Sequence, residues 1–462
     1  MNTKNMNNWE RRRFLSLGAR TVAGAGLSLG AHPLLGMARG STGPLNDGDE
    51  YRALVCVFLE GGMDGFSLFV PSTTAEYSAY RRSRGGLSVD SGNLLSLGSS
   101  SPFGLHQSAA ALQSLYSDER LAIMSNVGNL VEPTTRSQYT ERAVEIPSQL
   151  FSHADQMVQW QQLQGRGRSR EGWGALAADH LAERQTRDHL TSISVAGSNH
   201  WQTSAGQRPF TLRETGLVNY SGLNAANVNQ QPRANAFDAL MQAPSQSILQ
   251  QGYSELQQRA RNNTAEIGAV LSSRFRSSSD DPVPHNPEGN KLAARLNMVA
   301  KLIAVHQELG MNRQIFYVRL GGFDVHDDQN NRMPGLFANL ANALTGFQSA
   351  IDNLGLDRNV TTFTASDFGR SLNSNGDGTD HGWGNHLFAM GGAVNGGQVY
   401  GDVPLLDVNG PDSVHNGRIL PTTAATQYAA TMLSWLGLND AELNDVLPTL
   451  SRFGSSDLGF LG

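Results

Sequence analysis

Asp380, His381 and His386 crowd into one glycine- and asparagine-rich loop, NSNGDGTDHGWGNH. An apolar, β-prone run at 360–364 precedes it and ends at Ser366-Asp367; a second apolar run, 387–390, follows it. Acids and imidazoles between two strands make poor core and good metal ligands. Two further acids repeat the setting. The run RALVCVFL at 52–59 stops at Glu60-Gly61-Gly62-Met63-Asp64, and QIFYVRL at 314–320 stops at Gly321-Gly322-Phe323-Asp324-Val325-His326. If these runs are parallel strands, their ends share the sheet edge where open α/β folds bind ligands. Asp64, Asp324 and Asp367 are then expected at that edge, with His326, Asp380, His381 and His386 in the loops around it. Mixed carboxylate and imidazole sets suit Zn, Mn or similar divalent metal ions, and several acids together can hold two. Arg370, just past Asp367, is a candidate to bind anionic ester oxygens. Three hydroxyls precede helical patterns: Ser152 in LFSHADQ, and Thr135 and Ser137 in EPTTRS. Each reads as helix N-cap material and also as a candidate nucleophile, Ser152 first.

The elements that must position these groups alternate. The apolar run at 52–59 reads as a strand buried on both faces of a parallel sheet, and 121–127, 190–195, 314–320 and 360–364 read as further strands. Helical spacing is expected over 105–116, 291–309 and 336–354, with closing helices at 421–436 and 440–447. Strand 314–320, helix 336–354 and strand 360–364 make a βαβ crossover. Residues 201–290 change character towards Gln, Asn, Ala and Arg, and read as a helical insertion in a single α/β domain spanning 51–462. With 462 residues, 39% of them hydrophobic, a sizeable core is available. A formal charge of -6 without a basic face argues against a nucleic-acid partner. The single Cys56 excludes an intrachain disulfide and a cysteine-built zinc site. At the N-terminus, Glu10-Arg11-Arg12-Arg13-Phe14-Leu15 is a twin-arginine pattern, followed by a weakly apolar run at 21–35 and small residues near Ala38. Residues 1–38 resemble a twin-arginine signal peptide, joined by a linker at 39–50. The run is too short and glycine-rich for a stable membrane span. The expected location is periplasmic or secreted, with the twin-arginine export machinery as a partner.

The motifs GGMDGFSLFVP, SQLFSHADQMVQW, GGFDVH, SDFGRSLNSNGDGTDHGWGNHLFAMGGAVNGG and GRILPTTAATQYAATMLSWLG resemble those of the exported DUF1501 family over about residues 50–455. That family is similar to the alkaline phosphatase and sulfatase superfamily. The resemblance implies an α/β fold with a mostly parallel central sheet flanked by helices, a two-metal site, and a Ser, Thr or modified Cys nucleophile. It also implies hydrolysis of a phosphate or sulfate monoester on an anionic small-molecule or polymer substrate. Carried over residue by residue, Asp64 resembles the first-strand metal acid, Asp324 the acid of the later ligand group, and Asp380-His381-Gly382 the Asp-His-Gly signature. The sequence departs from the pattern in two places. His326 lies two residues after Asp324, with Asp328 in the usual fourth place. Asp367 ends its strand directly but is followed by Phe368, not His, and Asp380-His381 comes thirteen residues later. The superfamily's last His corresponds to His386 or His415. A non-catalytic metal-binding or structural envelope protein that keeps the fold is the alternative.

Overall fold

The computed structural model of the protein describes residues 50–462, apart from 166–168, 186–189, 207, 218–219, 224–226, 245–246 and 284–288. The twin-arginine segment and nearly all of the linker lie outside the described residues. Nine described strands form one sheet. In chain order they are β1 (Arg52–Glu60), β2 (Leu121–Gly128), β3 (Ser192–Ser194), β4 (Phe210–Thr211), β5 (Arg313–Gly321), β6 (Val360–Ser366), β7 (Asn385–Met390), β8 (Val399–Tyr400) and β9 (Thr423–Ala424). Across the sheet the order is β8-β2-β7-β6-β1-β5-β3-β4, with β9 on β2. Six of the pairings are parallel; β7 alone runs antiparallel to both neighbours. The fold is thus α/β with a mostly parallel sheet flanked by helices, as the apolar runs implied. Strand β1 is central, and its interior is buried throughout because both faces are covered.

The register aligns the strand ends that matter. Glu60 pairs with Gly321 and Leu59 with Ser366, so the loops after β1, β5 and β6 leave the same edge. Between β5 and β6 the helix Gln329–Asn353 makes the crossover, burying Phe337, Leu340, Leu344, Phe347 and Ile351. It begins seven residues before the apolar stripe at 336, because polar Gln329 is buried in its first turn. Helices Trp173–Ala182, Lys291–Ala304 and Ala425–Leu436 pack on the sheet. The expected helix at 105–116 is shorter: Phe103–His106 is a strand and the helix is Ala111–Ser117. Trp201, at the start of the expected insertion, is fully buried against Trp173 and Phe363. The helical part of that region is Gln231–Gln242 and Ile248–Arg274, joined by an Arg261–Asp238 ion pair. No helix among the described residues is long and apolar enough to cross a membrane.

Chain direction after β6 is set by a two-stranded ribbon, Arg370–Ser374 against Thr379–His381. The ribbon carries the chain out over the sheet edge and back, so β7 returns antiparallel beside β6. This excursion brings the aspartate and histidine loop over the ends of β1 and β5.

Candidate metal centre

The turn after β1 makes close approach possible. Gly61 and Gly62 have φ of 110° and 80°, in the left-handed region open to glycine. A Cβ on Gly61 would sit 2.3 Å from the Asp324 backbone nitrogen, and one on Gly62 would meet the Phe368 ring at 2.2 Å. Arg370 fastens the same junction from inside. Its guanidinium donates to the carbonyls of Gly61, Gly62 (2.9 Å), Phe323 (2.8 Å) and Thr379 (3.0 Å), and to Asp324 Oδ1 (2.7 Å). Those bonds join the loops after β1 and β5 to the ribbon.

On the solvent side of this junction three donor atoms converge. Asp324 Oδ1 is 3.0 Å from His326 Nε2 and 3.3 Å from His381 Nε2, and the two imidazole nitrogens are 3.0 Å apart. One ring is held from behind by a hydrogen bond, and the other has a carboxylate nearby. His381 Nδ1 is 2.9 Å from the Phe151 carbonyl, which fixes the proton on Nδ1 and leaves the Nε2 lone pair facing the group. His326 Nδ1 lies 3.8 Å from Asp380 Oδ1. Behind His326 the ribbon packs so closely that a Cβ on Gly378 would come within 2.3 Å of the His326 carbonyl carbon. Burial lowers the pKa of His381, favouring the neutral ligand form. For Asp324, burial pushes the carboxyl up, but the Arg370 hydrogen bond and charge, with His326 and His381, outweigh it and hold it below its usual range.

The three atoms fit a divalent cation. Tetrahedral bonds of about 2.0–2.2 Å place ligand atoms roughly 3.3 Å apart, close to the three separations here. One carboxylate and two imidazoles on an open face suit zinc or a similar ion.

The other residues singled out from the sequence lie elsewhere. Asp64 follows the aligned end of β1, yet its carboxylate turns into the protein. It is 1% exposed and accepts from Arg84 Nη2 (2.6 Å), Ser67 Oγ (2.8 Å) and Gln329 Nε2 (2.8 Å), so its lone pairs are taken by the core. His386 is also buried: Nδ1 accepts the Asn126 N–H at 3.2 Å, and the ring packs between Phe66 and Phe103. Burial pushes its pKa down to about 3. Arg370, expected to hold substrate oxygens, is 1% exposed and committed to the junction just described. Asp380 stands behind His326 instead of joining the three donors, and accepts from Asn375 Nδ2 at 3.0 Å. His415 is exposed and lies near Tyr139. Asp328 sits at the start of the crossover helix with φ 52°.

Asp367 is fully buried at the end of β6. Its Oδ2 accepts the Gly61 and Gly62 N–H groups at 2.5 and 3.2 Å, and burial raises its pKa to about 6 against the pull of those N–H groups and His153. The candidate nucleophiles are engaged locally. Ser152 Oγ donates to Asp155 at 2.7 Å, Thr135 forms a capping box with Gln138, and Ser137 Oγ bonds Glu141 at 2.9 Å.

Sequence reasoning missed what surrounds Ser152. Phe151 supplies the carbonyl that orients His381, and it does so from a left-handed conformation, φ 73°. Gln156 holds this loop to the ribbon, accepting the Phe151 N–H at 2.6 Å and donating to the Gly382 carbonyl at 3.2 Å. The Arg418 guanidinium stacks on the Phe151 ring at 4.0 Å and donates to the His381 carbonyl at 2.9 Å. The one available signal was the LFSHADQ segment, in which Phe151 directly precedes the candidate nucleophile Ser152.

A sequence profile described as "Protein of unknown function (DUF1501)" matches residues 51–444. The chain belongs to the DUF1501 family. No curated protein matches its sequence. Solved structures similar to this DUF1501 chain include the PsFucS1 sulfatase from Pseudoalteromonas sp., at 12% identity over 86% of this chain and 69% of that one, with a TM-score of 0.35. Ps i-CgsB in complex with k-i-k-neocarrahexaose is 11% identical over 85% and 74%, TM-score 0.34. The C-terminal periplasmic domain of EcEptC from Escherichia coli, in complex with Zn, is 12% identical over 76% of each chain, TM-score 0.30. At TM-scores this low the likenesses carry no weight for the chemistry.

Proposed function

We propose that this protein is an exported, metal-dependent hydrolase of phosphate or sulfate esters. One observation carries the metal part: the triangle of Asp324 Oδ1, His326 Nε2 and His381 Nε2, with sides of 3.0–3.3 Å. The ester class comes from the resemblance of the motifs around these residues, and export from the twin-arginine pattern at residues 10–15. When bound, a divalent ion supplies Lewis-acid polarisation of an ester oxygen and makes water more acidic. The chain's own part is to hold the ligands. Arg370 keeps Asp324 ionised and fixed, the Phe151 carbonyl sets the His381 tautomer, and Asp380 faces the far nitrogen of His326. Ser152, Thr135 and Ser137 each hydrogen-bond a local side chain, and the attacking group in this reading is water. The same engaged hydroxyls favour a second reading, a metal-binding envelope protein without turnover.

Metal analysis of the exported chain, together with aryl phosphate and aryl sulfate esters as substrates, separates these readings. The hydrolase reading expects bound metal, ester cleavage, and loss of both in His326→Ala. Metal without cleavage of any ester supports the second reading. Cleavage that survives His326→Ala overturns the site.

A further inference from the structure

Most of the arginines around the strand ends are already committed. Arg370 is buried in the junction, Arg84 pairs with Asp64 at 2.6 Å, Arg319 with Glu60 at 3.1 Å and Arg332 with Asp327 at 3.0 Å. Arg418 is different. Its Nε donates to the His381 carbonyl at 2.9 Å, and its Cζ lies 4.0 Å from the centroid of the Phe151 ring. The first contact fixes it on a ligand of the metal centre, the second on the residue that orients that ligand. Its two Nη groups have no hydrogen bond and no ion pair among the described residues. A guanidinium held at Nε keeps those Nη groups as a rigid two-donor fork, the geometry that matches the oxygens of an oxyanion. Asp380 ties the fork to the rest of the centre: its Oδ1 is 3.8 Å from His326 Nδ1, and its charge also reaches Arg418. Burial outweighs the charges of Asp380 and Tyr139 and lowers the Arg418 pKa, so this cation gains more from an incoming anion than a fully solvated one does. Tyr139 stands close by. Its ring contacts Trp383 and His415, with centroids at 5.8 and 6.2 Å, and its phenol feels the Arg418 charge. Burial raises the Tyr139 pKa, which keeps the hydroxyl able to donate, and that hydroxyl has no hydrogen bond among the described residues.

We propose that Arg418 and the Tyr139 hydroxyl bind the oxyanion of the substrate, taking non-bridging oxygens of a phosphate or sulfate ester beside the Asp324–His326–His381 triangle. The inference rests on the hydrolase reading and names the anion-binding side chains that this reading lacks once Arg370 is committed to the junction. The two arginines then have separate tasks. Arg370, 1% exposed, holds Asp324 from inside; Arg418, half-buried, keeps its fork for oxygens that arrive from solvent. Arg418 also gives a part in the site to the GRILPTTAATQY motif, which had none.

Calorimetric titration of the Co²⁺-loaded full-length chain with inorganic phosphate and, in a separate arm, inorganic sulfate tests this, with metal content measured for every variant. The wild type is expected to bind the oxyanion of the ester class it cleaves. Arg418→Gln, whose amide can still donate to the His381 carbonyl, is expected to keep its metal and to bind that oxyanion about 10- to 100-fold more weakly. Arg418→Lys keeps the charge without the fork and is expected to recover part of the loss. Tyr139→Phe is expected to weaken binding about 3- to 10-fold. Wild-type affinity in Arg418→Gln at full metal content overturns the proposal and leaves the hydrolase reading standing. So does loss of metal from both Arg418 variants, which makes the residue a support for His381; Arg418→Lys decides if Arg418→Gln alone loses metal. A metal-loaded wild type that binds neither anion also overturns the proposal, and cleavage of an aryl ester by the same protein then keeps the hydrolase reading. If the wild type holds no metal, oxyanion binding by the bare chain that Arg418→Gln weakens keeps the proposal and removes the metal centre, whereas no binding removes both.

Discussion

Asp64 and Asp324 follow the same local pattern, an apolar parallel strand, two glycines and an acid, and the strands are in register at their ends. Their fates differ completely. Asp324 is 41% exposed, two imidazole nitrogens meet its Oδ1, and its charge is steadied from below by Arg370. Asp64 is 1% exposed and closed in by Arg84, Ser67 and Gln329. The difference comes from what is brought to each acid by distant segments. Helix Thr74–Arg84 delivers a guanidinium to Asp64 from twenty residues away, whereas the ribbon delivers an imidazole to Asp324 from fifty-seven. Strand-end grammar brings an acid to the sheet edge; the residue that crosses over to meet it decides between core and site.

Removing Asp64 is the hardest blow to this contrast. Arg84 is 0% exposed, and Asp64→Ala leaves its charge buried without a counter-ion. A loss of about 3–5 kcal/mol is expected in urea unfolding of the metal-free chain. His326→Ala, on the half-exposed side, is expected to change the same measurement by no more than about 0.5 kcal/mol. If Asp64→Ala is as stable as wild type, Asp64 is not a structural acid and the division collapses.

His386 extends the comparison and adds a pH dependence. Its folded pKa is about 3 because the ring is wholly buried, against 6.5 for the free side chain. The unfolded chain therefore takes up a proton at His386 as pH falls through 6.5, and the folded chain does so only near 3. The stability held above pH 6.5 is lost progressively below it, by about 3 kcal/mol at pH 4. In His386→Asn, whose carbonyl keeps an acceptor for the Asn126 N–H, the fall in unfolding free energy between pH 7 and pH 4 should be smaller by that amount. An equal fall in both proteins would mean that His386 is open to protons and not core.

Much of the architecture was legible because β1 is apolar on both faces, β5 is apolar through its middle and β6 is β-branched and aromatic, signals that survive without knowledge of the rest of the chain. The aligned acids were legible for the same reason, as was the loop that bears His381. What was not legible is side-chain direction. Asp64 and Asp324 differ by the presence of Arg84 and Gln329, and nothing in the local sequence announces that these reach Asp64. Arg370 read as an anion binder from its place beside Asp367; its hydrogen bonds go to four backbone carbonyls and Asp324, contacts that exist only once three loops have met. Phe151 was hidden for a different reason. It acts through its carbonyl, which leaves no spacing to read.

The finest test of the exposed side is Asp380, which the sequence offered as a ligand and the structure puts behind one. Its Oδ1 lies 3.8 Å from His326 Nδ1, and it neighbours the positive charge of Arg418. At that distance the carboxylate is too far for a hydrogen bond and acts on the ring through its charge. A hydrogen-bonded partner is usually worth about 10- to 100-fold in binding, so the effect here is expected below that range. Asp380→Ala is therefore expected to keep the Co²⁺ stoichiometry of the wild type in a calorimetric titration of the metal-free chain, to weaken the Asp324–His326–His381 site by less than about tenfold, and to leave metal-free stability within about 0.5 kcal/mol. Asp380→Asn, which retains an acceptor oxygen, should fall between the two. Loss of an entire ion in Asp380→Ala would restore Asp380 as a direct ligand. Unchanged affinity would instead assign the orientation of His326 to the close backbone packing of Gly378, so that a Gly378→Ala chain would bear the loss that Asp380→Ala did not.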